Sequence, residues 1–270
     1  MPYVNVRGQK IFYEEHGKGF PVLFGHSYLW DAGMWEPQIA ELSKTYRCIV
    51  PEIRSHGQSD ALPETTYSIE AIAEDHRAIV NALGLEHIAV VGLSVGGMWG
   101  TRLALDYPET VKALVLMDTF TGPEPLESRN RYFGMLDMVE QAGAIPASLT
   151  DSITPLFFSP ETFKNNPVLV NKFKESLLSI PPDRIPGIVA IGRAIFSRAS
   201  MLENSGDIKI PVLIVVGSDD RSRPPHEARV MAETIQNARM EIIPNAGHIS
   251  NLEQPDHVTA LLSAFLQEAL

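Results

Sequence analysis

Ser94, His248 and the adjacent acids Asp219 and Asp220 are the residues of this 270-residue chain whose types and spacing suit catalysis. Ser94 sits in "GLSVGG" (92–97), between an apolar run, "EHIAVV", and a helical run, "MWGTRLALDYP". G-x-S-x-G at the end of a strand and the start of a helix reads as a nucleophile elbow. Such a turn projects the serine hydroxyl above the sheet, and Gly92 and Gly96 remove side chains that would clash with it. The helix that follows points its positive end at an oxyanion forming on a substrate carbonyl. A glycine-rich helix start with serine as an ordinary N-cap shares those five letters, so the other residues must decide. A serine hydroxyl is a poor nucleophile near neutral pH and needs a general base, itself oriented by a carboxylate. His248 lies in "NAGHISNLEQP", just after the apolar run "MEIIP", and Asp219 and Asp220 lie in "VVGSDDRSRPP". Serine, acid and histidine together predict acyl transfer through a triad in which either aspartate can serve.

Those residues need elements to hold them. "PVLFGH" (21–26) and "YRCIVPE" (46–52) are short apolar runs rich in β-branched residues, as buried parallel strands are. "SIEAIAEDHRAIVNALG" (68–84) carries Ile69, Ile72, Ala73, Ile79, Val80 and Leu83 at helical spacing and ends at Gly84. A strand over 87–92, a helix from about Gly96 to Tyr107 stopped by Pro108, and a strand over 111–118 follow. The alternation returns with "IPVLIVVGSDD" (210–220), a helix near 225–237, "ARMEIIPNAGH" (238–248) and a helix from about Pro255. The N-terminal "MPYVNVRGQKIFYEE" alternates like a strand pair around Gly8. Strands alternating with helices predict an α/β fold with a mostly parallel sheet covered on both faces. From about Phe120 to Asn204 the pattern is helical and punctuated by proline; Tyr132, Met135, Leu136 and Val139 fall on one helical face. We expect a core over 1–119 and 206–270, with 120–205 inserted as a helical lid over the ligand-binding edge of the sheet.

Composition narrows the functional classes. The net charge of −11 argues against nucleic acid, whose phosphates need a basic face. No stretch approaches the roughly 18 apolar residues that span a bilayer, and the N-terminus lacks a signal peptide's apolar core. Cys48, the single cysteine, has no partner for an intramolecular bridge, which fits a reducing compartment and a cytoplasmic location. H-E-x-x-H, the Walker loop and the dinucleotide fingerprint are absent from the sequence, so neither a metal nor a cofactor is expected.

"GLSVGGMWGTRLALDYPETVKALVLMDT", "AGHISNLEQPDHV" and "HSYLWDAGMWEPQIAEL" resemble the elbow, histidine loop and oxyanion loop of the α/β-hydrolase family. The resemblance spans essentially the whole chain. It is strongest to 3-oxoadipate enol-lactonases and their neighbours, small-molecule esterases and cofactor-free haloperoxidases. It implies an α/β-hydrolase fold, whose chain order is also Ser, Asp, His. In that family the acid is usually the third residue after the strand-ending glycine. Counting from Gly217 gives Asp220 rather than Asp219, with Asp118 as the substitute. The oxyanion donors implied are the backbone N–H groups of Val95 and Tyr28. Ser27 stands where glycine is most usual, and "PEIRSHGQSD" departs from D-x-R-G-H-G-x-S through Glu52 and Ser55. In that turn Arg54, His56 and Gly57 are expected to position a neighbouring loop.

The expected activity is hydrolysis of esters or lactones of small, largely apolar acids. A slow-turnover ligand-sensing receptor and a perhydrolase are the alternatives, because fold and triad do not separate them. Trp30, Phe120, Tyr132 and Phe158 are the candidate pocket residues, and Met98 and Trp99 are read as core. Arg129, Arg131, Arg193 and Arg198 are the candidate cations for an anionic substrate group.

Overall fold

The computed structural model describes residues 2–62 and 66–270. β1 (Tyr3–Val6) and β2 (Gln9–His16) form an antiparallel hairpin. Its two-residue turn, Arg7 and Gly8, has positive φ at both positions, the twist that matches flanking strands. β3 (Pro21–Gly25) leads to α1 (Glu36–Leu42) and β4 (Arg47–Pro51). Then come α2 (Ile69–Ala82), β5 (Ile88–Leu93), α3 (Val95–Asp106) and β6 (Val111–Met117). The eight strands, completed by β7 and β8 below, lie in the order β1-β2-β4-β3-β5-β6-β7-β8. Pairing is antiparallel at β1–β2 and β2–β4 and parallel from β4 onward.

Successive side chains of a strand point to opposite faces, and the sequence uses both. Val22 and Phe24 pack with Trp35 and Ile39 on one side, while Leu23 packs with Ile72 and Trp99 on the other. That two-sided burial explains why the strands read as unbroken apolar runs rather than as alternating ones.

Between β6 and β7 every element is helical: α4 (Leu126–Ala142), α5 (Ala147–Phe157), α6 (Pro160–Asn165), α7 (Pro167–Leu178), α8 (Ile185–Phe196) and α9 (Leu202–Ser205). The chain enters and leaves this cap side by side, since Met201 N–H donates to the Thr121 carbonyl at 2.8 Å. α8 is apolar on nearly all sides and packs against both the other cap helices and the core. Gly192 permits this approach: a Cβ there would lie 2.7 Å from both Leu136 Cδ2 and Tyr28 Oη. After the cap come β7 (Val212–Gly217), α10 (Pro225–Thr234), β8 (Ala238–Ile243), α11 (Ser250–Glu253) and α12 (Pro255–Ala269). β8 stops at Ile243, where Pro244 and Asn245, the latter at φ 56°, turn the chain into the histidine loop.

Candidate active site

Ser94 joins β5 to α3 at φ 57° and ψ −117°, a conformation that non-glycine residues avoid. The surroundings enforce it. Ser94 N–H donates to the Met117 carbonyl at 2.9 Å, and the Ser94 carbonyl accepts from Thr119 Oγ1 at 2.6 Å and from Gly97 and Met98 N–H. A Cβ on Gly92 would stand 2.3 Å from the Gly96 carbonyl, and one on Gly96 would stand 2.3 Å from the Gly25 carbonyl. The glycines therefore let a helix, a turn and the neighbouring strand meet backbone to backbone.

His248 is buried on the loop after β8, its N–H held by the Phe157 carbonyl at 2.9 Å. Its Nδ1–H donates to Asp220 Oδ2 at 2.9 Å, and Asp220 Oδ1 accepts from the N–H groups of Ser222 and Arg223 at 2.8 and 2.9 Å. Asp219 points elsewhere: it is exposed, and its carboxylate accepts from Ser218 Oγ at 2.9 Å. Asp118 is also turned away from the histidine, accepting from Gly217 N–H at 2.8 Å and from Ser250 Oγ at 2.5 Å. Burial, and then the nearby charge of Asp220, push the Asp118 carboxyl well above the usual range. Ser94 and His248 line one cavity. Among the described residues Ser94 Oγ forms no hydrogen bond, so the two share that cavity without the direct contact seen between His248 and Asp220.

Around Tyr28 the loop's N–H groups are occupied in turn. Ser27 donates to Met34 Sδ, Leu29 to His56 Nε2 at 3.2 Å, and Trp30 to the Ser27 carbonyl at 3.1 Å. The Tyr28 N–H donates to nothing among the described residues, and Val95, first in α3, has no acceptor within its helix. His26 braces the same loop: its Nδ1–H donates to the Ser27 carbonyl and its Nε2 accepts from Ile53 N–H, both at 2.8 Å. Burial keeps both imidazoles neutral, lowering His26 to about 4 and His56 to about 3, and a neutral Nε2 is what accepting an N–H requires.

The turn that departs from its relatives is part of this brace. Glu52 accepts from Gln58 N–H at 2.5 Å and from Ala32 N–H at 3.3 Å, and burial pushes its carboxyl up to about 7. Arg54 pairs with buried Asp75 at 2.6 Å, which anchors the turn on α2.

The cavity holds about 80 Å³, with Ser94, His248, Ser27 and Tyr28 at the sheet edge. Its far wall is apolar and comes from the cap: Leu136 and Val139 of α4, Leu149 and Ile153 of α5, and Ile188 and Phe196 of α8. Of the four residues expected to line it, Tyr132 does, stacked on Phe196 at 4.2 Å. The other three do not, and packing accounts for each. Trp30 turns away after Leu29, which sits at φ 67°, and stacks on Phe173 at 4.7 Å. Phe158 is buried among Trp30, Phe163 and Phe173, and Phe120 is buried in the core on the α2–α3 face of the sheet. Met98 and Trp99 are buried in the core as read, and Met98, one turn along α3 from Ser94, also reaches the cavity.

None of the four candidate arginines lines the cavity; Arg223 does. Its guanidinium reaches Glu124 at 2.5 Å and Glu227 at 3.4 Å, and Glu124 also holds Arg198 at 3.1 Å. This buried cluster fastens both cap crossings, at Glu124 and Arg198, to the loop whose backbone holds Asp220. Its spacing across more than 70 residues leaves no local signal in the sequence.

Residues 21–255 match the α/β hydrolase fold family. The chain belongs to it. Among its relatives, 3-oxoadipate enol-lactonase 1 of Acinetobacter baylyi is 29% identical over 246 residues, 91% of this chain and 88% of that protein. A thermophilic esterase from Thermogutta terrifontis, solved with malate bound, is 30% identical with a TM-score of 0.90, covering 99% of this chain and 98% of its own. The enol-lactonase of Burkholderia xenovorans is 26% identical with a TM-score of 0.89, covering 98% of this chain and all of its own. An α/β-hydrolase fold puts its ligand outside the carboxyl ends of the parallel strands, which is where β5, β7 and β8 deliver the loops of Ser94, Asp220 and His248. Among the described residues no helix is long and apolar enough to cross a membrane, and no cluster of three metal-ligating side chains occurs.

Proposed function

We propose that the protein hydrolyses carboxylic esters or lactones of small, largely apolar acids through an acyl-enzyme on Ser94. The observation that carries this reading is a strained elbow serine sharing a small apolar cavity with a histidine whose other nitrogen is held by a buried carboxylate. The hydrolase, enol-lactonase and esterase relatives support it.

His248 Nε2 takes the Ser94 proton as Oγ attacks the carbonyl carbon, and the carbonyl oxygen becomes an oxyanion bound by Tyr28 and Val95 N–H. Asp220 keeps the proton on Nδ1, leaving Nε2 free to accept, and stabilises the imidazolium that forms. When the tetrahedral intermediate collapses, the carbonyl re-forms and the C–O bond breaks; His248 returns its proton to the departing alkoxide. Water then repeats the sequence on the acyl-enzyme, releasing acid and free serine. Every proton stays within Ser94, His248, substrate and water, so the scheme needs no cofactor. A cytoplasmic setting belongs to the same reading, supported by a single, buried cysteine.

The test is turnover on a panel of short acyl esters, enol-lactones and homoserine lactones. Activity is expected to rise from acetyl to a short optimum and then fall as the cavity fills, at about 0.8 kcal/mol per methylene before the limit. A wild-type protein that cleaves each ligand once, slowly and without turnover, would contradict the reading and favour a receptor.

A further inference from the structure

The cavity at Ser94 is not alone on this edge of the molecule. A wider cleft of about 610 Å³ lies between the oxyanion loop, the turn at Ser55–Gly57 and cap helix α7. The two spaces share Leu29 and Ile188 as lining residues. We infer that Leu29 is the partition between two substrate subsites. The small apolar acyl group lies at Ser94, and a larger, polar alcohol part passes over Leu29 into the cleft. The inference rests on the ester-hydrolase reading and adds to it the shape of the substrate.

Size is the first reason. The Ser94 cavity holds about 80 Å³ and a water-sized group takes roughly 10–15 Å³, so only a short chain fits there. The cleft beyond Leu29 is several times larger.

Position is the second. Leu29 follows Tyr28, whose N–H is the oxyanion donor of the mechanism above. A carbonyl whose oxygen sits on that N–H carries its two substituents in diverging directions. One can enter the apolar cavity; the other must leave past the neighbouring residue. Leu29 is also fixed in place: it stands at φ 67° with its N–H on His56 Nε2, and Tyr28 Oη ties the loop to the Ile188 carbonyl at 2.8 Å. The partition is therefore built from the same braced loop that presents the donor.

Chemistry is the third. The Ser94 cavity is lined mainly by apolar side chains, and its one arginine, Arg223, is taken up by Glu124 and Glu227, whereas Asp31, Glu36, Lys172, Ser176 and Arg184 line the cleft. Trp30 and Phe173, stacked at 4.7 Å, line the cleft as well. A space with charged and aromatic lining suits a polar or ring-bearing alcohol better than a second fatty chain.

Two variants and two esters test this. Leu29→Ala opens the partition, and Ser176→Trp narrows the cleft from an exposed position on α7. The readout is kcat/KM for 4-nitrobenzyl acetate divided by kcat/KM for methyl acetate, with Tm measured to confirm that each variant is folded. Leu29→Ala should raise this ratio by roughly tenfold and Ser176→Trp should lower it by roughly tenfold, the scale on which one or a few side-chain contacts discriminate substrates. A ratio that stays within twofold of wild type in both folded variants overturns the inference. So does a response confined to a p-nitrophenyl series of growing acyl length, which would make the cleft an acyl subsite. A wild type that turns over no ester or lactone overturns the hydrolase reading itself, and the inference falls with it.

Discussion

The two walls of the Ser94 cavity are made in opposite ways. The sheet-edge wall is built from backbone: a strained elbow, N–H groups left free by position, and loops pinned by His26, His56 and the Asp220 carboxylate. The cap wall is built from apolar side chains of α4, α5 and α8, Leu136, Leu149, Ile188 and Phe196 among them. Hydrogen bonds fix atoms to fractions of an ångström, as acid–base chemistry requires. Dispersion contacts are individually weak and non-directional, and tolerate a change of volume. Changes on the first wall should therefore alter rate, and changes on the second should alter choice of substrate.

The sharpest way to break that division lies at the paired acids. Asp220→Asn should lower kcat by about 10⁴, the scale set by losing the carboxylate that orients a catalytic histidine. Asp219→Asn, whose side chain is exposed and turned to Ser218, should stay within about threefold of wild type. Steady-state kinetics on one activated ester decides it, and equal losses would mean the acid is misassigned.

The cap wall should answer differently. Leu149→Ala removes a buried side chain from the cavity's far end. We expect the preferred acyl chain to lengthen by one or two carbons and the protein to lose about 2–5 kcal/mol of stability. kcat on each variant's own best substrate should fall less than tenfold. A large loss of kcat with no change in preferred length would dissolve the distinction between the walls.

The smallest effect concerns pH and again separates them. His26 and His56 are held neutral by burial, with pKa values lowered from 6.5 to about 4 and about 3. On unfolding below pH 6.5 these rings take up protons that the native state does not bind, so stability rises with pH in that window. Their contribution is present above pH 6.5 and is lost as pH falls through about 4 and then about 3. Glu52 and Glu227, pushed up to about 7 by burial, act with the opposite sign in this window, so the contribution of the rings is read as a difference between variants. His56→Gln offers Leu29 N–H an acceptor that does not titrate and should make Tm fall less, or rise more, from pH 6.5 to 4 than in wild type, while Leu149→Ala should keep the wild-type slope. Melting curves across that range report both.

The difference between the walls also explains what the sequence reveals. Parallel strands, the elbow and the loops that follow β7 and β8 leave local marks, because the apolar runs end where those loops begin, but the choice between Asp219 and Asp220 rests on the resemblance to the family. The strand ends lie within a few residues of where the apolar runs stop. The cap leaves only helical periodicity, which gives its helices but not their packing. Trp30 and Phe120 are large and lie near the motifs in sequence, and Phe158 is one of the cap's aromatics, yet each is taken up by other aromatic or core contacts. Leu136 and Val139 of α4, Leu149 and Ile153 of α5 and Ile188 of α8 look like ordinary amphipathic faces, and only their meeting across three helices makes a cavity. Arg223 reads as a loop cation until Glu124, 99 residues away, is placed against it.

The central claim is that Ser94 is the nucleophile, and covalent trapping tests it most directly. A small fluorophosphonate forms a stable bond to a serine oxygen only where that hydroxyl is activated, and intact-mass and peptide mass spectrometry locate the adduct. The account predicts one adduct per chain on the peptide that contains Ser94, loss of ester turnover in step with labelling, and no adduct in a folded Ser94→Ala variant. An adduct on another serine, or ester turnover that survives in the folded Ser94→Ala protein, would contradict it.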